Sequence, residues 1–165
     1  MKEENNNTED ISLNKNNGKQ YFLFISGGDI YAMDALLVAE IVEYQNITKV
    51  PMMQSCINGV TNVRGNIITV VDLLDRFDLG KTKLTPRTSL AIVKKTHHDK
   101  TVDIAIVIDE VYEVDYISDD SLQLSPDFGT KINKSFIKNI GRYNNKDIAI
   151  LNTDNILNIS DLAKS

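Results

Sequence analysis

Short apolar runs separated by polar, turn-forming residues are the dominant pattern along this chain. Runs rich in Val, Ile, Leu and aromatic residues occur at 21–26, 30–33, 60–63, 66–71, 89–95, 102–109, 111–117, within 132–143 and at 148–151. Runs of this length and composition predict β-strands. The Gly-Gly pair at 27–28, between the first two runs, predicts a hairpin. Many short strands with frequent turn signals predict a mainly β fold of the sandwich or small-barrel type.

A few short stretches favour helix instead. Asp34 is a good N-cap and precedes a run of Ala, Leu and Val, which predicts about two helical turns before the chain becomes extended at 41–42. Further short helices are predicted at 54–58, at 72–77 with Asp72 near its start, and from 155 to about 163 after an Asn-Thr-Asp cap. The segment 80–88 is polar, contains Pro86 and is predicted to be a loop.

The first 19 residues differ from the rest of the chain. They are polar, rich in Asn and without periodicity, which predicts a disordered arm at 1–19 and a compact domain at 20–165. The chain has 165 residues, of which 42% are hydrophobic, enough for one domain or for two small subdomains.

Composition excludes several classes of function. The net charge of −5 argues against general nucleic-acid binding, which needs a basic surface. No apolar run approaches the ~20 residues that span a bilayer, and the N-terminus lacks the basic start and apolar core of a signal peptide. A cytoplasmic protein is therefore predicted. One cysteine and two histidines offer neither a disulfide nor a Cys/His zinc site, so no metal or cofactor is predicted.

Charge is unevenly distributed in the second half of the chain. Residues 101–127 contain eight acidic residues and no Lys or Arg, whereas 128–165 contain six basic and three acidic residues. Two interpretations stay open. The two segments are solvated faces that neutralise one another, or one of them steers a charged partner.

Candidate catalytic groups are sparse. His97 and His98 are adjacent at a predicted hairpin tip, where a solvated turn is the simpler interpretation. No nucleophile elbow and no phosphate-binding loop is present. Asp109 and Glu110 are neighbouring carboxylates, but neighbours on a strand point to opposite faces. A β-barrel hydrolase using these two acids is kept as a minor alternative.

The most distinctive segment is 59–74, which reads Gly-Val-Thr-Asn-Val-Arg-Gly-Asn-Ile-Ile-Thr-Val-Val-Asp-Leu-Leu. Arg64 interrupts two apolar runs, and it must be paired or reach the surface because an unpaired buried charge is very costly. Gly59 and Gly65 allow positive φ or the close approach of another backbone. The segment therefore predicts a docking surface on a β scaffold.

Glu40 is the other charge that interrupts an apolar stretch. We predict an ion pair between Glu40 and Arg64, partly buried at the base of a groove, because a guanidinium suits pairing with a carboxylate. Such a pair gives orientation more than stability, and removing one partner of a buried pair is strongly destabilising. The alternative is two independent exposed charges.

The segment 59–74 resembles the sequence pattern of CheW-like domains, the adaptors of bacterial chemotaxis arrays. That pattern is roughly Gly-Val-x-Asn-Leu-Arg-Gly-x-Ile-x-Pro-Val-x-Asp-Leu, from which Val63 and Thr69 depart at the Leu and Pro positions. The resemblance extends through 31–34, 38–41, 47–51, 107–111 and 148–157, and it covers about residues 20–163.

The resemblance implies a fold and a function. The fold would be mainly β, with two small five-stranded SH3-like β-barrels packed together, a few short helices and a C-terminal helix. The function would be that of a non-enzymatic adaptor that binds the regulatory domain of a CheA-type histidine kinase and the cytoplasmic tip of methyl-accepting chemoreceptors. A scaffold of another signalling array, such as one for pilus motility, is the alternative within the family.

The resemblance also implies site residues. The receptor-binding groove would contain Val38, Glu40, Gly59, Asn62 and Arg64, with Val38 as an apolar contact and Gly59 as a bare spot for a receptor helix. Ordinary core packing for Val38 and a turn role for Gly59 stay open as alternatives. Composition does not single out the kinase-facing residues, for which Phe77, Val111 and Tyr112 are the candidates.

Overall fold

The computed structural model describes residues 17–125 and 130–158, and these residues form ten strands and a few short helices. The strands are β1 (Gly18–Ser26), β2 (Asp29–Asp34), β3 (Val38–Glu43), β4 (Ile57–Val63), β5 (Asn66–Asp72), β6 (Ser89–His97), β7 (Lys100–Ile108), β8 (Glu110–Ser118), β9 (Ile137–Tyr143) and β10 (Lys146–Leu151). Two one-turn α-helices, α1 (Leu73–Arg76) and α2 (Thr153–Ile156), follow β5 and β10, and 3-10 turns occupy Ala35–Leu37, Asp119–Ser121 and Lys134–Phe136.

The strands form two five-stranded sheets. The first sheet has the order β8-β1-β2-β10-β9 and the second has the order β3-β6-β7-β5-β4. The chain leaves the first sheet after β2, builds the whole second sheet, and returns with β8. Neighbouring strands are antiparallel except for two parallel pairs, β2 with β10 and β5 with β7.

Each sheet curls so that the segment following one edge strand meets the other edge strand. In the first sheet, an isolated bridge joins Gln123, just after β8, to Ile140 of β9. In the second sheet, Thr48, in the segment after β3, forms a bridge with Val60 of β4. The predicted fold class is confirmed, with two five-stranded units in a mainly β protein. The closure of each barrel rests on isolated bridges and side-chain contacts, not on a continuous ladder.

A core shared by the two sheets joins the barrels. On β1, Phe22 and Phe24 enter the shared core, whereas Tyr21 and Leu23 enter the interior of the first barrel. β7 is buried on both faces in the same way, with Ile106 in the shared core. This explains why both runs are apolar at successive positions, since each full burial of a large apolar side chain contributes ~1.5–3 kcal/mol.

Two helices predicted in the first half of the chain are wrong in length or type. Asp34 does cap the next turn, because its Oδ1 accepts from Leu36 N at 3.0 Å, but only the 3-10 turn Ala35–Leu37 follows. The strand β3 begins at Val38 because its backbone pairs with β6. The turn predicted as helical at 54–58 is a non-helical turn that leads into β4 at Ile57.

Asp72 caps α1 as predicted. Its Oδ1 accepts from Leu74 N at 3.1 Å. The same carboxylate also accepts from the hydroxyl of Thr82 at 2.7 Å and from the Thr82 amide at 2.9 Å. Asp72 is 2% exposed, so these bonds satisfy a buried charge and tie the loop after α1 to the end of β5.

The ends of the chain depart from prediction where they are described. β1 begins at Gly18, two residues before the predicted domain start, while residues 1–16 of the predicted arm lie outside the described residues. α2 is capped by Asn152 and ends at Ile156, so the predicted continuation is wrong at 157–158. Residues 126–129 and 159–165 also lie outside the described part. None of the helices in the described part has the length and apolar character that a membrane span requires.

Candidate partner-binding site

The hairpin turn between β4 and β5 holds Arg64 at its tip. Arg64 and Gly65 have φ values of 53° and 86°, a combination typical of two-residue type I′ turns. A non-glycine residue with positive φ is uncommon, and the Asn62 side chain stabilises this one by accepting from Gly65 N at 2.9 Å. The turn thus fixes the backbone from which Arg64 projects.

Arg64 and Glu40 meet across the two edges of the second sheet. Arg64 Nη2 lies 2.9 Å from Glu40 Oε2, and their side chains are 79% and 27% exposed, respectively. The partial burial predicted for the pair therefore holds for Glu40 but is wrong for Arg64. The guanidinium stands in solvent because Arg64 lies at the tip of the two-residue β4–β5 turn. Water screens such a pair, which contributes about 0–1 kcal/mol.

We define the seam as the surface where β3 and the segment after it, residues 38–48, lie beside residues 59–65 of the β4–β5 hairpin. Polar side chains link the two sides of the seam. Gln45 Nε2 donates to Thr61 Oγ1 at 3.1 Å and to the carbonyl oxygen of Asn62 at 2.8 Å. The Thr61 hydroxyl in turn donates to the Asn46 carbonyl at 3.0 Å. Sequence reasoning missed Gln45 and Thr61, because a polar residue after a strand gives no signal of a specific partner.

Gly59 is packed against the backbone of its own chain. Its φ is 141°, and a Cβ at this position would lie 2.0 Å from the carbonyl oxygen of Thr48. The space predicted to receive a receptor helix is therefore occupied by Thr48. Gly59 is also not a turn glycine, since it lies within β4 beside a register shift. Its role in this structure is to let the seam close.

Val38 lies at the start of β3, half-buried, and packs against the shared core. The buried part of the Val38 side chain therefore packs as ordinary core, which was the alternative to a partner contact, and the rest faces solvent. Ile67, opposite Asn62 on the β4–β5 hairpin, is 68% exposed and adds apolar surface that sequence reasoning missed. The seam and this hairpin thus present an exposed cation, a carboxylate and apolar groups.

The three candidate kinase contacts are not equivalent. Phe77 is 3% exposed and lies in the shared core, with ring centroids 5.5 Å from Tyr31 and 5.6 Å from Phe136. Its selection as a surface contact is therefore wrong, because the turn after α1 directs it inward. Val111 and Tyr112 are both exposed on β8, an edge strand of the first sheet.

The same edge strand carries more exposed apolar surface. Val114 and Tyr116 are exposed beside Tyr112 at alternate positions of β8. Val114 and Tyr116 share a face because alternate side chains of a strand do. A register shift pairs Glu113 with Leu23 but Val111 with Phe24, so Tyr112 lies at a bulge next to them. We call Val111, Tyr112, Val114 and Tyr116 the β8 stripe. Exposed apolar stripes on edge strands are typical of surfaces that bind partners.

The carboxylates of the hydrolase alternative serve structural contacts. Asp109 Oδ2 accepts from Gly27 N at 2.8 Å, and Glu110 lies 3.2 Å from Arg87. His98 is exposed at the β6–β7 hairpin tip, with a φ of 49°. In residues 17–125 and 130–158, no group of three or more His, Cys, Asp or Glu side chains is placed to hold a metal ion.

These features define a double-barrel β protein whose distinctive residues lie on its surface. A family model described as "CheW-like domain" matches residues 20–161. The chain belongs to this family.

Relatives and a solved structure agree with that membership. The chain is 25% identical over 140 residues to the chemotaxis protein CheW of Bacillus subtilis, covering 85% of this chain and 87% of the relative. It is 33% identical over 114 residues to CheW of Thermotoga maritima, covering 67% and 72%. Its fold is similar to the crystal structure of the scaffolding protein TtCheW from Thermoanaerobacter tengcongensis, with a TM-score of 0.73, 30% identity and coverage of 81% and 84%.

Proposed function

We propose that this chain is a non-enzymatic cytoplasmic adaptor that couples a CheA-type histidine kinase to methyl-accepting chemoreceptors in bacterial chemotaxis. The observation that carries the proposal is a CheW-like match over residues 20–161 in a chain that presents the Arg64 turn on its surface. The relatives named chemotaxis protein CheW and the neighbour described as a scaffolding protein support it.

The seam is the proposed receptor-binding surface. Glu40 engages one nitrogen of the Arg64 guanidinium and thereby orients it, and the exposed remainder of the group is free to donate to a partner carboxylate or carbonyl. The exposed parts of Val38 and Ile67 offer apolar contact. An amphipathic receptor helix with polar and apolar faces matches this combination. Gly59 and Asn62 contribute indirectly: Gly59 lets the seam close, and Asn62 stabilises the turn that carries Arg64.

The β8 stripe is the proposed kinase-binding surface. It is apolar and lies on an edge strand, so it fits a partner strand that adds to this edge with apolar side chains. The seam belongs to the second sheet and the β8 stripe to the first. We propose that each partner uses one of these two surfaces, which the core shared by the sheets joins.

Co-sedimentation with receptor-bearing membranes tests both surfaces. Wild-type protein should pellet with receptors from its own source and restore receptor control of kinase autophosphorylation. Arg64→Ala should lose receptor binding and keep kinase binding, whereas Val114→Asp should do the reverse. Arg142→Ala is the matched control, because Arg142 is an exposed arginine that pairs with Asp147 at 3.6 Å on the first sheet.

Failure has distinct forms in this experiment. Wild-type protein that stays in the supernatant with every receptor and kinase of its source contradicts the chemotaxis proposal and favours a scaffold of another array. If Arg64→Ala and Arg142→Ala bind the receptor equally well, this result contradicts the proposal that the seam is the receptor surface. Turnover of an ester or peptide that depends on Asp109 or Glu110 would contradict the non-enzymatic role.

A further inference from the structure

We infer that Gln45 is a positioning residue for Arg64, holding the β4–β5 hairpin against β3 so that the guanidinium meets Glu40. The inference rests on the proposed receptor-binding role of the seam. The starting observation is that one side-chain amide donates to two successive residues of β4, Thr61 Oγ1 at 3.1 Å and the Asn62 carbonyl at 2.8 Å.

The contacts of Gln45 lead directly to the Arg64 turn. Asn62, whose carbonyl accepts from Gln45, uses its own side chain to accept from Gly65 N at 2.9 Å. Arg64 lies between these two residues of the turn and reaches back 2.9 Å to Glu40. Glu40 and Gln45 lie on the same continuous segment. Both contact the β4–β5 hairpin, Gln45 at Thr61 and Asn62 and Glu40 at Arg64.

The chemistry of the site requires a donor at position 45. The Asn62 carbonyl can only accept, and the Thr61 hydroxyl has committed its proton to the Asn46 carbonyl at 3.0 Å. Gln45→Glu keeps the shape of the side chain but places carboxylate oxygens against two acceptors. Gln45 is exposed, so this substitution buries no new charge.

A separate contact holds the other end of the seam. Thr48 and Val60 exchange two backbone hydrogen bonds of 2.8 and 2.9 Å, and Gly59 packs beside them. The second barrel therefore remains closed when Gln45 is replaced. The effect of Gln45→Glu should be confined to the tip of the hairpin, which separates positioning from folding.

Amide hydrogen exchange tests the positioning directly, without a receptor. In Gln45→Glu, the Gly65 amide should exchange about fivefold to tenfold faster, because its acceptor Asn62 is no longer held. The Val60 amide, bonded to Thr48, should be unchanged. Equal exchange of Gly65 in both proteins, or equally faster exchange of Val60, would overturn the inference.

A double-mutant cycle on receptor binding separates positioning from direct contact. Gln45→Glu should weaken receptor binding about tenfold and leave kinase binding intact, and it should add nothing in an Arg64→Ala background. Gln123→Glu, the same charge change at an exposed position of the first barrel, is the control. Additive losses would mean that Gln45 touches the receptor and would overturn the inference. If Arg64→Ala binds receptor normally, the proposed receptor surface fails, and the exchange experiment alone decides the role of Gln45.

Discussion

The carbonyl oxygen of Thr48 occupies the space in which a side chain at Gly59 would lie, only 2.0 Å from an ideal Cβ. This contact accompanies the two backbone hydrogen bonds between Thr48 and Val60 that close the second barrel. Gly59 is thus required for packing within the chain. A loss of partner binding on substituting Gly59 would not by itself show that a partner touches it.

Substitution of Gly59 by alanine should lower the free energy of unfolding strongly. The Cβ would clash with backbone, which cannot move aside as a flexible side chain can, and we expect a loss on the order of 2–4 kcal/mol. Gly65→Ala is the control, because its φ of 86° is also positive but no atom lies within 4 Å of its Cβ position. It should cost ~1–2 kcal/mol. Urea unfolding of both variants checks this, and equal losses would contradict the packing role.

Arg64→Ala should change the free energy of unfolding by less than ~1 kcal/mol, since the guanidinium is exposed and screened. Arg76→Ala is the contrasting variant. Arg76 donates to the carbonyls of Ile156 and Asn155 at 2.8 and 3.1 Å and stacks over Phe136 at 4.9 Å, joining α1 to α2. We expect a loss of roughly 2–3 kcal/mol there. Thermal unfolding distinguishes the two, and a large loss for Arg64→Ala would mean that the Glu40 pair is structural.

The sequence was sufficient to predict most of the strands, though not β3, and several local features such as turns and caps. Alternation places Phe22 and Leu23 on opposite faces of β1, the Gly-Gly pair marks the first hairpin, and Asp72 marks the start of α1. These features depend on neighbours within a few residues. The alternation of side chains along a strand and the identity of a capping residue are therefore enough to predict them.

Features that depend on distant residues could not be predicted in the same way. The helix expected after Asp34 is cut short because Val38 pairs with Val93, which is far along the chain. The pairing of Arg64 with Glu40 depends on how the second sheet curls, because Glu40 lies on one edge strand and Arg64 follows the other. Phe77 looks like any aromatic after a helix, and only tertiary packing decides that it points into the shared core.

Asp72→Asn should destabilise the protein by roughly 2 kcal/mol, because the buried carboxylate accepts from both the Thr82 amide and the Thr82 hydroxyl. An amide group has one acceptor oxygen and would turn N–H donors toward one of these donors. Asp154→Asn is the control, an 86% exposed carboxylate paired with Lys95. Chemical denaturation should show little change for the control. Similar small changes for both would contradict the structural role of Asp72.

Tyr143 should make stability fall with alkaline pH. Its hydroxyl lies 2.7 Å from Glu113 and 2.9 Å from Asp115 across the edges of the first barrel. The hydrogen bond to Glu113, then burial, then the bond to Asp115 raise the pKa of Tyr143 above its usual value of 10.0. The folded state therefore favours the protonated phenol. This contribution to stability is fully present below about pH 10 and is lost as the pH rises above it, because the unfolded state ionises first.

Tyr143→Phe is the variant that tests this pH dependence. It should be less stable than wild type at neutral pH by ~1–3 kcal/mol, since Glu113 and Asp115 lose the single O–H donor that they share. Between about pH 9 and about pH 11, its stability should decline less steeply than that of the wild type. Some decline should remain, because burial also raises the pKa of Tyr31 to about 12. Parallel stability curves for the two proteins in this range would show that the Tyr143 proton is not linked to folding, and that the barrel edges meet without it.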